Sequence, residues 1–470
     1  MSEAIGEMIL PGTYIEVRSE GLIGVGGIST GNIGIVGTAQ KGPVDAVQVL
    51  GSYSEALEVF GAYDRWNPAA SPDPPSLTLT RALAQVFKGG GSTVYAVRIG
   101  AGTPGTMEWS VLVSDAADAA ELFRLTADSP GSWANALVVK VDGDAGTLTV
   151  QLGKAKEVFS GNAGAMAAEI NAASRFVTAS LSAGADGGKA VMSAKPVTPN
   201  VGSNGPAVTT TEVAAGLALL ASETVNIVTV AGLGASVVGA TLLAHLEATE
   251  NDGRERMGVL GASGDELTNV ATDASAIGNA RAILVAPGIR SDDAARTEAN
   301  KQVSLPPSYS AALVAGRLST LAPHISLTNK DVSADGLTKY YTRAEQKQLL
   351  GNRALVLQKN LGIRCLKGIT TDNGAFRQIS VRRITDFAKF GVRLGCNPYI
   401  GRLNNSRVRA ALKATLDGFL AGMVLDEMLI GYQLEVGATR AQEIAGQAVV
   451  VMTLQPTFSI DFVKVIMNLS

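Results

Sequence analysis

Cysteine and histidine are almost absent from this sequence, and charge is thin. The chain of 470 residues holds two cysteines, Cys365 and Cys396, and two histidines, His245 and His324. Two cysteines make no disulfide framework, and no CxxC or HExxH spacing occurs, which excludes a structural zinc site. The histidines stand far apart with no nucleophile motif beside either, so structural roles are expected for both. The cysteines lie in "GIRCLKG" and "RLGCNPY", apolar settings typical of packing residues rather than reactive thiols. Charged residues make up 17% and hydrophobic residues 46%; an average soluble domain is roughly 25% charged. Part of the surface is therefore expected to be covered by other subunits. A net charge of -3 is too small to imply a nucleic-acid or membrane partner for the whole molecule.

Long apolar runs and phosphate cradles are missing too. No stretch approaches the ~20 apolar residues of a membrane span. The first ten residues, "MSEAIGEMIL", have neither a basic n-region nor an apolar h-region, so no secretory signal is expected and the protein is expected to stay in a reducing cytosol. In "VAGLGASVVG" the glycines Gly232 and Gly234 are followed only by Gly239, which fails GxGxxG and predicts a tight strand-to-helix turn. "GGKA" has Ala183 where a phosphate loop needs its first glycine and Ala190 where it needs Ser or Thr. No cofactor and no catalytic group is expected.

What is present begins with α/β punctuation. A strand through Ile33, Ile35 and Val36 precedes "SYSEALEVFG", in which Ser52 and Glu55 fit a capping box and Gly61 a helix stop. After a proline-rich loop, Leu79, Leu83, Val86 and Phe87 share one face of a helix, Gly89 to Gly91 stop it, and Thr93 to Ile99 reads as a strand. From Ala101 the composition shifts to Ala, Gly, Ser, Thr and Val, with short strands "LFRLTA", "ALVVKV", "TLTVQL" and "RFVTASL". The apolar strands of "ETVNIVTVAG", "RERMGVLGA" and "ARAILVAPG" then resume a parallel sheet. Long amphipathic helices follow, through Ile384, Phe387, Ala388, Gly391 and Val392 and through Val408, Leu412, Leu416 and Leu420. These patterns predict a discontinuous α/β core (32–100 and 216–329), an inserted β-rich domain (101–215), a C-terminal α+β domain (330–455) and terminal arms (1–31 and 456–470).

Both arms read as strands. Tyr14, Ile15, Glu16, Val17 and Arg18 precede the glycine-rich "GLIGVGG", and Phe458, Ile460 and Phe462 alternate with Ser459 and Asp461 before the phase changes at Val463 and Val465. Between Gly374 and Lys413 the chain carries Arg377, Arg382, Arg383, Lys389, Arg393, Arg402, Arg407, Arg409 and Lys413 against Asp386, and the sign reverses up to Glu443. A solvated face is the commonest reading of such a run and a protein interface the next; nucleic acid is disfavoured because interleaved aromatic platforms are missing.

"PGTYIEVRSEG", "GNIGIVGTAQKGPVDAVQVLGSYSEALEVFG", "LTRALAQVFKGGGSTVYAVRIG", the Gly131, Trp133, Asn135 stretch "LTADSPGSWANALVVKV", "ISVRRITDFAKFG" and "QPTFSIDFVKVIMNLS" together resemble contractile-tail sheath proteins of bacteriophages and related injection machines. The resemblance implies a structural subunit that polymerises as stacked rings, usually sixfold, around a tail tube and contracts to drive the tube through a cell envelope. It implies a tail tube protein, a baseplate and a tail terminator as partners, with no nucleic acid and no membrane insertion. The place would be the virion tail, assembled in the bacterial host cytoplasm. The insertion would be an outer domain and 330–455 would face the tube. Residues Tyr14–Arg18 and Phe458 to Met467 would pair with sheets of neighbouring subunits, and Arg382, Arg383, Arg407, Arg409 and Lys413 are the candidate tube contacts. Within the same class stands the sheath of a phage-like injection particle or bacteriocin. From another class, an α/β enzyme with a lid would need an acid-base or nucleophile group near strands 226–286, and the sequence offers none.

Overall fold

A computed structural model describes residues 29–67, 77–101, 105–114, 119–197 and 200–468. The N-terminal strand expected at Tyr14–Arg18 lies outside them. The chain divides into two units, one of Ser29–Arg383 with the segment starting at Phe458, the other containing Ile384–Thr457.

The larger unit is built on an eight-stranded sheet in the order Ile363–Cys365, Leu355–Lys359, Ala282–Ala286, Met257–Gly261, Ile227–Val230, Ile33–Gly37, Val94–Arg98, Val47–Leu50. The central strands "IGIVG", "IVTV", "MGVLG" and "AILVA" are buried at every residue. They pair in parallel, with Ile33 opposite Ile227 on one side and Val94 on the other. Apolar, β-branched runs buried on both faces are what a parallel sheet between helical layers requires. One layer brings helices Leu79–Lys88 and Pro307–Ser319 onto the sheet through Leu79, Leu83, Val86, Tyr309 and Leu313; the other packs Val213, Leu217, Leu242, Leu246 and Val270. The first two helices nearly touch. A Cβ on Gly316 would fall 2.1 Å from the carbonyl oxygen of Val86, so glycine alone permits that approach.

The inserted module has its own core of Trp109, Phe123, Trp133, Phe159, Met166 and Ile170. It contains a four-stranded sheet, Ser193–Pro196, Glu108–Leu112, Glu121–Ala127, Val177–Leu181, and a three-stranded one, Leu137–Asp142, Thr147–Leu152, Ala155–Ser160. Helix Ala163–Ala173, N-capped by Asn162, escaped the sequence reading because its alanines and glycine leave almost no amphipathic contrast. The Gly131, Trp133, Asn135 stretch sews the module to the core. Gly131 has φ of 141° and leaves no room for a Cβ, which would lie 2.0 Å from the Gln40 carbonyl oxygen. Asn135 donates to the carbonyl of Gly202 and accepts from its N–H, both at 2.8 Å, tying the way in to the way out.

Two expected boundaries move. Residue 215 falls inside helix Thr210–Leu220, whose Val213, Leu217 and Leu220 are core residues, so the core resumes at the Thr209 cap. Residues 330–383 extend the main sheet through Leu355–Lys359 and Ile363–Cys365 and belong to the larger unit. Their polar lead-in hides this, although Leu355, Val356 and Leu357 are buried in a strand paired on both sides.

The smaller unit takes helix Ile379–Cys396 from Ile384 onward, helix Ser406–Leu425 and a hairpin of Leu429–Gly437 with Val449–Pro456. Ile384, Ala388, Leu412, Leu416, Leu420, Met423 and Leu434 form its core. A Cβ on Gly391 would meet the Phe419 ring at 2.0 Å, and that ring stacks on Phe387 at 5.9 Å between centroids.

Candidate assembly interface

The hairpin is a sheet of two strands with no further strand against either edge among the described residues. Val450, Met452, Leu454, Tyr432 and Val436 pack on the small core, while Val449, Val451, Ile430, Gln433 and Glu435 face outward. Each edge offers a row of N–H and C=O groups ready for another strand. An isolated two-stranded sheet of this kind gains stability from any added strand.

After the hairpin, residues 458–468 run on without pairing, against the strand expected there. Val463, Val465 and Met467 are 80%, 72% and 83% exposed. The physical reason is simple: a strand exists only by its ladder, and among the described residues no strand edge stands beside the segment. Ser459 and Asp461 instead face the larger unit. Asp461 pairs with Lys367 at 3.1 Å and accepts from Gln378 at 3.1 Å and Thr328 at 3.2 Å.

The basic residues divide sharply. Arg382 and Arg383, expected at a partner surface, are buried. Arg382 pairs with Glu250 at 3.0 Å, beside the Arg281–Glu250 pair at 2.5 Å, and Arg383 donates to the carbonyls of Leu321, Ala322 and Thr30. They are internal fasteners, so a surface role for them is withdrawn. Arg409 is half-buried and bonded to Glu443 at 3.0 Å and to Asn404. Arg407 and Lys413 are exposed on the Ser406–Leu425 helix, and Arg402, in the turn before that helix, is exposed with its guanidinium over the Tyr399 ring.

The residues that an enzyme reading would need are engaged in structure. At the carboxyl end of strand Met257–Gly261, Ser263 donates to Asp273 at 3.1 Å while accepting from Ser236 N–H, so it caps the helix at Ala235–Asn251. The mouth of the sheet there is filled, since a Cβ on Gly261 would lie 2.1 Å from Pro307 and Ser308 backbone atoms. His245 is buried with Arg256, whose Nη1 donates to His245 Nε2 at 3.0 Å; burial, and then that neighbouring charge, lowers its pKa from 6.5 to about 4. Arg256 also donates to the carbonyls of Leu220, Ala221 and Glu223, closing the end of the helix at Thr210–Leu220. Burial pushes the Cys365 thiol up to about 12, far from a reactive thiolate. Among the described residues no three metal-ligating side chains cluster, and no helix is long and apolar enough to cross a membrane.

Residues 371–470 match the phage tail sheath C-terminal domain family. The fold as a whole is similar to that of the sheath tail protein from Desulfitobacterium hafniense, at 18% identity over 95% of this chain and 100% of that one, with a TM-score of 0.62. The sheath tail protein Lin1278 from Listeria innocua is similar at 15% identity, 92% and 93% coverage and a TM-score of 0.65. The helical sheath of the anti-feeding prophage in its contracted state is similar at 14% identity, 98% and 99% coverage and a TM-score of 0.57. No curated protein matches the chain in sequence. The resemblance read from the sequence and the mixed α/β fold class are both borne out.

Proposed function

We propose that the chain is a contractile tail-sheath subunit, which polymerises around a tube and shortens to drive that tube forward. The observation that carries the reading is the place of the family match: 371–470 holds the open hairpin and the unpaired arm, inside a chain whose fold is similar to sheath proteins over 92% to 98% of its length. The role is structural rather than enzymatic. The PVC sheath complex belongs to an extracellular contractile injection system, and the anti-feeding prophage has a helical sheath seen contracted, so a phage tail and a phage-like particle fit equally well, and neighbouring capsid genes would tell them apart.

Polymerisation proceeds by strand addition. The exposed residues from Val463 onward, and Tyr14–Arg18 of another copy, complete the two edges of the hairpin. Each added main-chain hydrogen bond contributes about 0.5 to 1.5 kcal/mol net, and each apolar side chain buried about 1.5 to 3 kcal/mol. Glycines of "GLIGVGG" let the N-terminal arm turn while its pairing persists. A few kcal/mol between two packings, multiplied over stacked sixfold rings, suffices for contraction. The outer face of helix Ser406–Leu425, with Arg407 and Lys413, is the tube contact, with Arg402 added and Arg409 held in reserve by Glu443. Baseplate and terminator proteins bound the polymer, which assembles in the host cytoplasm before release in the particle.

Negative-stain electron microscopy of the purified chain tests the reading. Long striated tubes with a central channel are expected, and deleting the residues after Gln455 should abolish them; a uniform small particle at every concentration would sink it. Reversing charge at Arg407 and Lys413 together should leave tubes that no longer hold the tube protein.

A further inference from the structure

The C-terminal arm turns its polarity inside out. In "FSIDF" the polar residues Ser459 and Asp461 face the larger unit, and the apolar residues Phe458, Ile460 and Phe462 are left mostly exposed. A segment parked against its own subunit by the hydrophobic effect would do the reverse. Here attachment rests on one carboxylate, 9% exposed, that meets Lys367, Gln378 and Thr328 at hydrogen-bond distance, while Ser459 N–H donates to Gln378 Oε1 at 3.3 Å and the Lys367 ammonium stands 4.8 Å from the Phe462 ring centre. A buried carboxylate so fully bonded is a position-specific fastener, and it leaves the apolar side free for another copy.

The same few residues hold the other end of the chain. Arg383, one turn along from Gln378, donates to the carbonyl of Thr30 at 3.1 Å and, with the same nitrogen, to that of Leu321 at 2.9 Å. Gly31 presses on the end of helix Pro307–Ser319 so closely that a Cβ would fall 2.5 Å from the Ser319 carbonyl oxygen. Thr328, which bonds Asp461, closes the same loop by accepting from Gly368 and Ser326. The loop at 319–328 therefore touches the root of the N-terminal arm at one end and the root of the C-terminal arm at the other.

We propose that this loop, Lys367 and the Gln378 to Arg383 turn form one anchor for both arms, which stays closed in the polymer. Tension arriving through the arm of one neighbour then passes to the arm of the next across about one helical turn, bypassing the main sheet. The segment that adds to a neighbouring sheet is accordingly shorter than expected, beginning at Val463. At about 3.3 Å per residue, the eight residues from Val463 to Ser470 reach roughly 26 Å, enough for a five- or six-residue ladder.

This rests on the strand-exchange reading, and hydrogen exchange on the full chain separates the two. In the soluble subunit Asp461→Ala should raise exchange at least tenfold at 458–462, and several-fold at 319–328 and at Thr30 to Asn32. Protection at Thr30 to Asn32 that stays at the wild-type level while 458–462 opens overturns the common anchor. Should Asp461→Ala fail to fold, Lys367→Gln, which removes one partner only, is read in the same way. In assembled tubes Ser459 to Phe462 should keep their protection, and the variant tubes should break under shear that wild-type tubes survive; loss of protection on assembly overturns the proposal. A wild-type chain that forms no tubes defeats the sheath reading, yet leaves the exchange coupling within the subunit still decisive for the anchor.

Discussion

The molecule contains two sheets of opposite character. In the eight-stranded sheet the middle strands are buried on both faces and paired on both edges; the hairpin of Leu429–Gly437 and Val449–Pro456 is half-exposed and, among the described residues, paired only with itself. The middle strands of the first complete their ladders within one chain. The second finds no further strand among the described residues, and its outward Val449, Val451 and Ile430 are exposed there. The difference teaches where the proposed capacity to assemble would reside: in the smaller unit, whose hairpin has, among the described residues, no third strand on either side.

The largest effect should come from removing what completes the hairpin. Deleting 463–470 is expected to eliminate tubes in the microscope while the melting transition of the subunit stays put; a shifted transition would mean that the arm supports its own chain. Next, Gly261→Ala forces a methyl into the Pro307 and Ser308 backbone and should destabilise the larger unit by about 3 kcal/mol or more, read by denaturant unfolding. Acid should also act on that unit. His245 is held neutral, with its pKa depressed to about 4, so the stability it contributes is complete above pH 6.5 and is lost as pH falls toward 4, on the order of 2 to 3 kcal/mol. His245→Gln should flatten that dependence. Gly391→Ala, against the Phe419 ring, should cost about 1 to 3 kcal/mol, with hydrogen exchange rising only within 384–457. The smallest change in the subunit is expected of Val451→Lys, within about 0.5 kcal/mol for an exposed site, yet it should raise the concentration needed for tubes. Equal destabilisation of both units by Gly391→Ala would erase the contrast.

Much of the larger unit was legible because its signals are local and strong. Ser52 accepts from Glu55 N–H and Gly61 takes φ of 74° as a helix stop, as the residues suggest, although the Glu55 carboxylate reaches Gly51 N–H rather than completing the box on Ser52. Gly232 makes the turn expected of it, its would-be Cβ meeting Thr78 at 2.4 Å. The basic run misled because charge is visible in sequence and burial is not: Arg382 looks like its exposed neighbours until Glu250, far back in the chain, is brought to it, and Arg383 until the carbonyls of Leu321, Ala322 and Thr30 are. Nor does any local pattern show that Arg81 is buried against Asp293 at 3.6 Å, with its guanidinium 4.1 Å from the Tyr63 ring centre.

By itself the sequence determined the alternation of strands and helices and the interruption of the core, since these follow from spacing and composition over a few residues. The tertiary structure decided which arginines are surface and which are fasteners, where the smaller unit begins, and that the last segment is held by Asp461 with its apolar side outward. Those are matters of partners distant in sequence. A buried charge or an unpaired edge is defined by what stands beside it, and only the folded chain supplies the neighbour.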